Sequence, residues 1–348
     1  MSIPTLTERE RAVLAAVIDS FVRTAAPAGS RRIGKEYELG VSAATIRNTM
    51  ADLESKGFLT HPHTSAGRMP TDLAYRYYVD ALMRRLKPRP SEQAKIEREF
   101  VGLEVAAVED LVARAARALS LLTGELGLAV GPTLASARLE RLELVPVSSE
   151  KALLVLTLES GVVRTVYVDL FSTVPRPTLE AVSAALNERL AGDTLQEIRD
   201  SLGERLRDLS LEDPEAQELV NIFVHSGPDV FEWALEERQV HLGSAAVLAE
   251  QPEFTTGARL RELILLTERR ELLASVLGDR DGGDRPHITI GTEHGKPELD
   301  DLTIVTANYS VGSLQGTIGV IGPTRMPYDK VVSIVDWTSG LLSRLAQS

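Results

Sequence analysis

The stretch Val41-Ser42-Ala43-Ala44-Thr45-Ile46-Arg47-Asn48-Thr49-Met50-Ala51-Asp52-Leu53 decides how the chain is read. Ile46, Met50 and Leu53 recur at intervals of three and four, which puts them on one face of a helix. Ser42 stands where an N-cap is wanted, and Gly57 follows Lys56 as a stop. At roughly 100° per residue, Ala44 and Asn48 fall opposite the apolar face, flanked by Thr45 and Arg47. Small and hydrogen-bonding side chains near the N-terminus of such a helix suit base edges in a major groove. Arginine can bond guanine bidentately, asparagine can bond adenine, and threonine can take a base edge or a phosphate. Taken alone, the same residues also fit a solvated face on which Arg47 pairs with a nearby acid. The position of the helix, after another helix and a tight turn, favours the first reading.

Upstream, Thr7-Glu8-Arg9-Glu10 has the form of a capping box. Val13, Leu14, Val17, Ile18, Phe21 and Val22 then define one apolar face, and Pro27 and Gly29 stop the helix. Ser30 caps a short second helix, 31–38, closed by Gly40. Downstream, 58–72 reads as a strand, a glycine-containing loop and a short return, before a fourth helix through Tyr75, Tyr78 and Leu82. Three short helices and a hairpin follow the order of a winged helix-turn-helix. In Thr60-His61-Pro62-His63-Thr64-Ser65-Ala66-Gly67-Arg68, the loop can lay backbone N–H groups and the Arg68 guanidinium on phosphates or in a minor groove. It also fits an ordinary surface turn. The candidate DNA-binding residues are therefore Ser42, Ala44, Thr45, Arg47 and Asn48 on the helix, with His63, Ser65, Gly67 and Arg68 in the loop. His61 and His63 have no clear carboxylate or cysteine partner nearby in sequence, so no metal site is expected. Tyr75, Tyr77 and Tyr78 could stack on bases, but the spacing of Tyr75 and Tyr78 favours packing of the hairpin.

Leu86-Lys87-Pro88-Arg89-Pro90-Ser91 reads as a stiff linker, because two prolines disfavour a regular helix. Residues 92–128 read as one long helix or two. Alternation then predicts strands at 142–147, 152–158 and 162–170. A helical stretch covers 178–235 and another helix 258–277, with strands at 287–290, 302–309 and 313–321 and a last helix over 328–345. The fold class is α+β, with an insertion between two sheet-forming regions.

The 348 residues carry a net charge of −12, unevenly placed. Residues 1–90 hold 14 Lys+Arg against 9 Asp+Glu, or +5, and the rest hold 24 against 41, or −17. A basic head on an acidic body permits DNA contact at one end. The chain has no cysteine, which removes disulfide frameworks, thiolate zinc sites and cysteine nucleophiles. It has no P-loop, Rossmann glycine pattern, HExxH or serine elbow, and Gly312, Gly316, Gly319 and Gly322 punctuate strand-like segments. No enzyme activity, catalytic residue or cofactor is expected. Charges within 1–24 and the lack of any 18-residue apolar run lead to the expectation of a cytoplasmic chain without a targeting segment.

Four segments carry a family resemblance. Residues 41–59 are followed by His61-Pro62-His63-Thr64-Ser65-Ala66-Gly67-Arg68, Pro70-Thr71 and Tyr75-Arg76-Tyr77-Tyr78-Val79-Asp80, and this run closely resembles the heat-inducible transcription repressor family HrcA. Pro27-Ala28-Gly29-Ser30 resembles the family's Pro-Val-Gly-Ser. Gly291-Thr292-Glu293-His294-Gly295 resembles its Gly-x-Glu-Asn-Gly segment with His294 for Asn, and residues 319–328 resemble its closing motif. The resemblance implies a negative regulator of chaperone operons that binds a palindromic DNA element as a homodimer and is released on heat shock. It also implies the GroE chaperonin as a helper that keeps the repressor folded. By the same resemblance, residues 1–85 are the winged helix-turn-helix, 86–91 the linker, and 92–185 and 251–348 the two parts of a GAF-like domain. The candidate inserted dimerisation domain is then 186–250. A weaker resemblance, to GntR-like winged helices, implies the alternative of a metabolite-responsive regulator.

Overall fold

In the computed structural model the described residues are 4–62, 67–84, 86–101, 108–132, 134–170, 173–209, 211–232, 240–278 and 285–346. The N-terminal unit, or head, holds α1 (Glu8–Thr24), α2 (Ser30–Glu36) and α3 (Ala43–Ser55), then strands β1 (Leu59–Thr60) and β2 (Met69–Pro70). α4 (Asp72–Tyr77) follows, running into a π-helical turn, Tyr78–Leu82. The Thr7 hydroxyl accepts the Glu10 N–H while the Glu10 carboxylate takes the Thr7 N–H, forming the capping box read from sequence. Glu10 also accepts from Lys56 Nζ at 2.6 Å, tying the start of α1 to the end of α3. The Lys56 bond, followed by the Thr7 N–H, holds the Glu10 carboxyl below its ordinary value.

The body has two sheets. A five-stranded antiparallel sheet in the order β7-β3-β10-β9-β8 comprises β7 (Val240–Leu242), β3 (Leu126–Val130), β10 (Leu314–Pro323), β9 (Leu302–Val311) and β8 (His287–Ile290). Helices cover both faces. α6 (Val108–Thr123) and α13 (Tyr328–Leu345) pack on the side of Ala129, Val305, Ala307, Ile318 and Val320. α5 (Pro90–Glu99) packs against these two helices. α10 (Ala246–Ala249), α11 (Gly257–Glu268) and α12 (Arg270–Gly278) pack on the side of Leu126, Leu128, Ile304 and Ile321. Because both faces are buried, β3 is apolar at every position and has no alternation to read. This explains why residues 126–128 were expected to continue a helix. At Gly127 an added Cβ would lie 2.0 Å from the Ala116 carbonyl oxygen, so only glycine allows α6 to sit this close to β3. Pro90 is the first residue of α5, where its missing N–H costs nothing, so the proline-rich stretch is shorter as a linker than its composition suggests.

Between β3 and β7 in the chain lies a separate three-stranded antiparallel sheet, β4 (Leu139–Ser148), β5 (Lys151–Leu158) and β6 (Val163–Asp169), in sequential order. α7 (Arg176–Leu190), α8 (Leu195–Leu206) and α9 (Pro214–Glu232) follow it. α7 packs on β4, and the side chains of Asn187 and Ser183 accept the Leu142 and Leu144 N–H groups at 2.8 and 2.9 Å. Those bonds satisfy the outer backbone of an edge strand that would otherwise be left unpaired. Strand alternation buries Leu142, Leu144, Leu154, Leu156 and Val168 on the helix side. The expected boundary at 186 falls inside α7.

The head is clamped to the body through segments that the sequence had singled out separately. Arg76 on α4 makes a forked pair with Glu293, Nε to Oε1 at 2.7 Å and Nη2 to Oε2 at 2.5 Å, and donates to the Ile288 carbonyl at 2.7 Å. Asp72 accepts the Thr292 N–H at 3.2 Å, and Tyr78 donates to Asp329 at 2.9 Å. Gly291 has φ +52°, and an added Cβ there would meet the Asp72 carboxylate at 2.1 Å. Arg325 donates to the Val22 carbonyl at 2.6 Å. The tyrosine-rich helix and the Gly-Thr-Glu-His-Gly turn therefore form one contact. The His294 ring meets the Leu302 carbonyl at 3.1 Å.

Candidate nucleic-acid interface

The core of the head fixes the orientation of α3. Ile46, Met50 and Leu53 are buried among Val13, Leu14, Val17 and Ile33, and Thr49 is buried beside them with its hydroxyl on the Thr45 carbonyl at 3.1 Å. Burying three such apolar side chains contributes several kcal/mol, at about 1.5–3 kcal/mol each, so rotating α3 about its axis is strongly disfavoured. The opposite face is turned out: Ser42, Ala44, Arg47 and Asn48 are exposed and Thr45 is half-buried. Ser42 Oγ accepts the Thr45 N–H at 3.1 Å and shares a hydrogen bond with the Thr45 hydroxyl at 3.0 Å. The cap leaves both hydroxyls at the outer end of the helix with spare acceptor capacity. No carboxylate among the described residues pairs with Arg47, so the surface ion pair weighed for it from sequence is not seen. Ahead of α3, Gly40 adopts φ +68°, a left-handed conformation that lets the chain reverse between α2 and α3.

The β1–β2 hairpin is held to the same face. Arg68 and Ala28 exchange two backbone hydrogen bonds, Ala28 N–H to Arg68 O at 2.8 Å and Arg68 N–H to Ala28 O at 3.0 Å. At Gly67 a Cβ would sit 2.6 Å from the Ala28 carbonyl oxygen, so this close approach requires glycine. The Arg68 guanidinium bonds Glu54 on α3 at 2.8 Å, with 24% of its side chain exposed. His61 Nδ1 bonds the other Glu54 oxygen. This differs from the sequence expectation in two respects. The Arg68 N–H is already used within the fold, and its guanidinium braces the hairpin against α3. Glu54 is also the carboxylate partner that His61 lacked in sequence. It was missed because it lies seven residues back, on the last turn of α3. Among the described residues, no cluster of three His, Asp or Glu side chains has metal-binding geometry. His63 and Ser65 lie outside the described residues.

The tyrosines pack within the protein. Tyr75 is buried against Tyr328 with ring centroids 5.7 Å apart, and Tyr77 meets Phe58 edge-on at 5.4 Å. Tyr78 is engaged with Asp329. No helix among the described residues is long and apolar enough to cross a membrane.

Comparison with known proteins bears on the whole chain. A family model described as the HrcA protein C terminal domain matches residues 109–332. The heat-inducible transcription repressor HrcA of Chlorobium chlorochromatii (strain CaD3) is 39% identical over 346 residues, covering 99% of this chain and 98% of that one. The protein of the same name from Chlorobaculum tepidum (strain ATCC 49652 / DSM 12025 / NBRC 103806 / TLS) is 37% identical over 357 residues, covering 99% and 98%. A crystal structure described only as that of a hypothetical protein superposes with a TM-score of 0.63 at 22% identity, covering 99% of each chain, and shares the mixed helix-and-sheet fold. With relatives this similar along nearly their full length, the chain belongs to the HrcA family of heat-inducible transcription repressors.

Proposed function

We propose that this chain represses heat-shock chaperone operons by binding a palindromic promoter-proximal DNA element as a homodimer, and that heat releases it. In this reading the head is a winged helix-turn-helix. α3 enters the major groove with Ser42, Ala44, Thr45, Arg47 and Asn48 toward the bases, and the hairpin with His63, Ser65, Gly67 and Arg68 lies along the backbone. One observation carries it: α3 buries Ile46, Met50 and Leu53 and leaves Ala44, Arg47 and Asn48 exposed on the opposite side. The names of the relatives, heat-inducible transcription repressors, support repression and its link to heat.

The five-stranded unit is the GAF-like domain in this account. The inserted dimerisation domain is 139–232, the three-stranded sheet with α7 to α9. Support comes from the sheet's outer face, where Val145, Val147, Val163 and Tyr167 are 41%, 54%, 53% and 66% exposed. Exposed apolar side chains gathered on one sheet face suit an interaction surface, and a second copy laid on it about a two-fold axis would pair two heads as a palindrome requires. Losing that pairing on heating removes the avidity of the second half-site. The GroE chaperonin enters as a partner on the family resemblance alone. The test is binding of Arg47→Ala and Asn48→Ala at fixed salt. Each should lose about 1–3 kcal/mol on the operator and little on scrambled duplex. Equal losses on both duplexes would remove α3 from base reading.

A further inference from the structure

The cations of the head fall into two groups. Arg23, Arg32, Lys56, Arg68 and Arg76 each bond a carboxylate within the fold. On α2, by contrast, Arg31 and Lys35 are exposed, and no carboxylate among the described residues pairs with either. They stand four apart, which puts them on one face of α2, turned away from the buried Ile33. Glu36, the carboxylate of α2, is already held by Arg23 at 3.1 Å and Arg32 at 2.9 Å. Like charges four apart destabilise a helix, and Arg31 in the first turn also opposes the helix dipole. An anion from outside would relieve both. The start of α2 lies along the side of α3 that carries Arg47. Ala28, two residues ahead of α2, exchanges backbone hydrogen bonds with Arg68, whose guanidinium bonds Glu54 on α3. Arg47 is seven residues before Glu54, hence on the same side of α3, about 10 Å along its axis. α2 also packs closely on α3, since a Cβ at Gly34 would sit 3.2 Å from Ile46 Cδ1.

We propose that Arg31 and Lys35 hold two phosphates of one operator strand, beside the groove that α3 enters. They are about 6 Å apart along α2, close to two phosphate steps of a single strand. In a helix-turn-helix the first helix crosses the backbone while the second reads bases, and α2 is the first of the two. Phosphate contacts fix register and orientation without reading sequence, so these two side chains set how Arg47 and Asn48 meet the base edges. The inference rests on the reading that α3 binds DNA, and it adds two residues to those assigned to the bases and the hairpin.

The test is the salt dependence of DNA binding by the full chain, on a single half-site and on a scrambled duplex. Arg31→Gln and Lys35→Gln should each weaken both duplexes by a similar factor, about three- to tenfold. Each should flatten the slope of log affinity against log salt by about 0.9 on the half-site, the value of one phosphate contact. Arg31→Lys should keep the wild-type slope. Arg176→Gln, an exposed cation on α7, changes net charge equally and should leave the slope unchanged. Denaturation midpoints of the two glutamine variants should be unchanged or raised, because a repulsion is removed and no native bond is lost. Slopes for Arg31→Gln and Lys35→Gln equal to that of Arg176→Gln would overturn the proposal, as would losses confined to the half-site. Arg47→Ala separates the two ideas. If it still discriminates half-site from scrambled duplex while the α2 slopes do not move, base reading by α3 stands and the α2 contact falls. If Arg47→Ala loses equally on both while the α2 slopes flatten, the α2 contact stands and base reading falls.

Discussion

Arg76→Ala tests whether the head is held to the body by the contact described above. The substitution removes the fork to Glu293 and the bond to the Ile288 carbonyl. The Arg76 and Glu293 side chains are 22% and 35% exposed, so water screens the pair in part. A charge-assisted fork in that setting supports a coupling of about 1–2 kcal/mol, between the value of an exposed pair and that of a buried one. The reporter is hydrogen exchange at the Thr292 amide, which donates to Asp72 only while the head is docked. A loss of that size should speed its exchange about 5- to 30-fold. Glu293→Ala should do nearly the same, and the double variant should be little worse than either alone. The pH dependence has a definite sign. Burial pushes the Glu293 carboxyl up, but the Arg76 bond and the Ile290 N–H together outweigh it and leave the group below its ordinary value. A depressed carboxyl stabilises docking above its unfolded value and loses that contribution as pH falls through the folded one. Protection at Thr292, corrected for intrinsic rate, should therefore fall on acidification below the ordinary carboxylate range, and less so in Glu293→Gln. If the effects of Arg76→Ala and Glu293→Ala simply multiply, the pair does not act as a clamp.

Other expected outcomes concern the hairpin and the outer sheet face. Gly67→Ala forces a methyl against the Ala28 backbone, which cannot yield as a side chain would, and should cost about 1–3 kcal/mol in a denaturation midpoint while weakening DNA binding. An unchanged midpoint would mean that the hairpin base is looser than described. Tyr167→Lys, at an exposed strand position, should leave the circular dichroism spectrum intact and convert a dimer to a monomer in sedimentation. A dimer that survives Tyr167→Lys together with Val147→Lys would place the interface elsewhere.

Much of this architecture was readable from residue pattern, and the exceptions share a cause. α1 and α3 declared themselves through Thr7, Ser42 and clean apolar spacing, because a helix buried on one side leaves a periodic trace. β4 and β5 did the same through alternation. β3 left no trace because helices cover both of its faces, and β7, Val240–Leu242, is too short to show a period. In the candidate interface, the outward set on α3 followed from the helix alone. The Glu54 bridge to Arg68 and His61 depends on how the hairpin folds back, which no local spacing encodes. The clamp is a similar case: Arg76 and Glu293 stood in two conspicuous motifs, but their pairing spans 217 positions and needed the fold to reveal it.

In the proposed repressor, two copies of α3, fixed in register by the body, read two half-sites together. A gel-shift titration at constant salt should compare an intact inverted repeat, one half-site and a scrambled duplex of equal length. The account predicts that the intact repeat binds on the order of a hundredfold or more tighter than the single half-site, with the scrambled duplex weakest. Equal affinity for all three would contradict it.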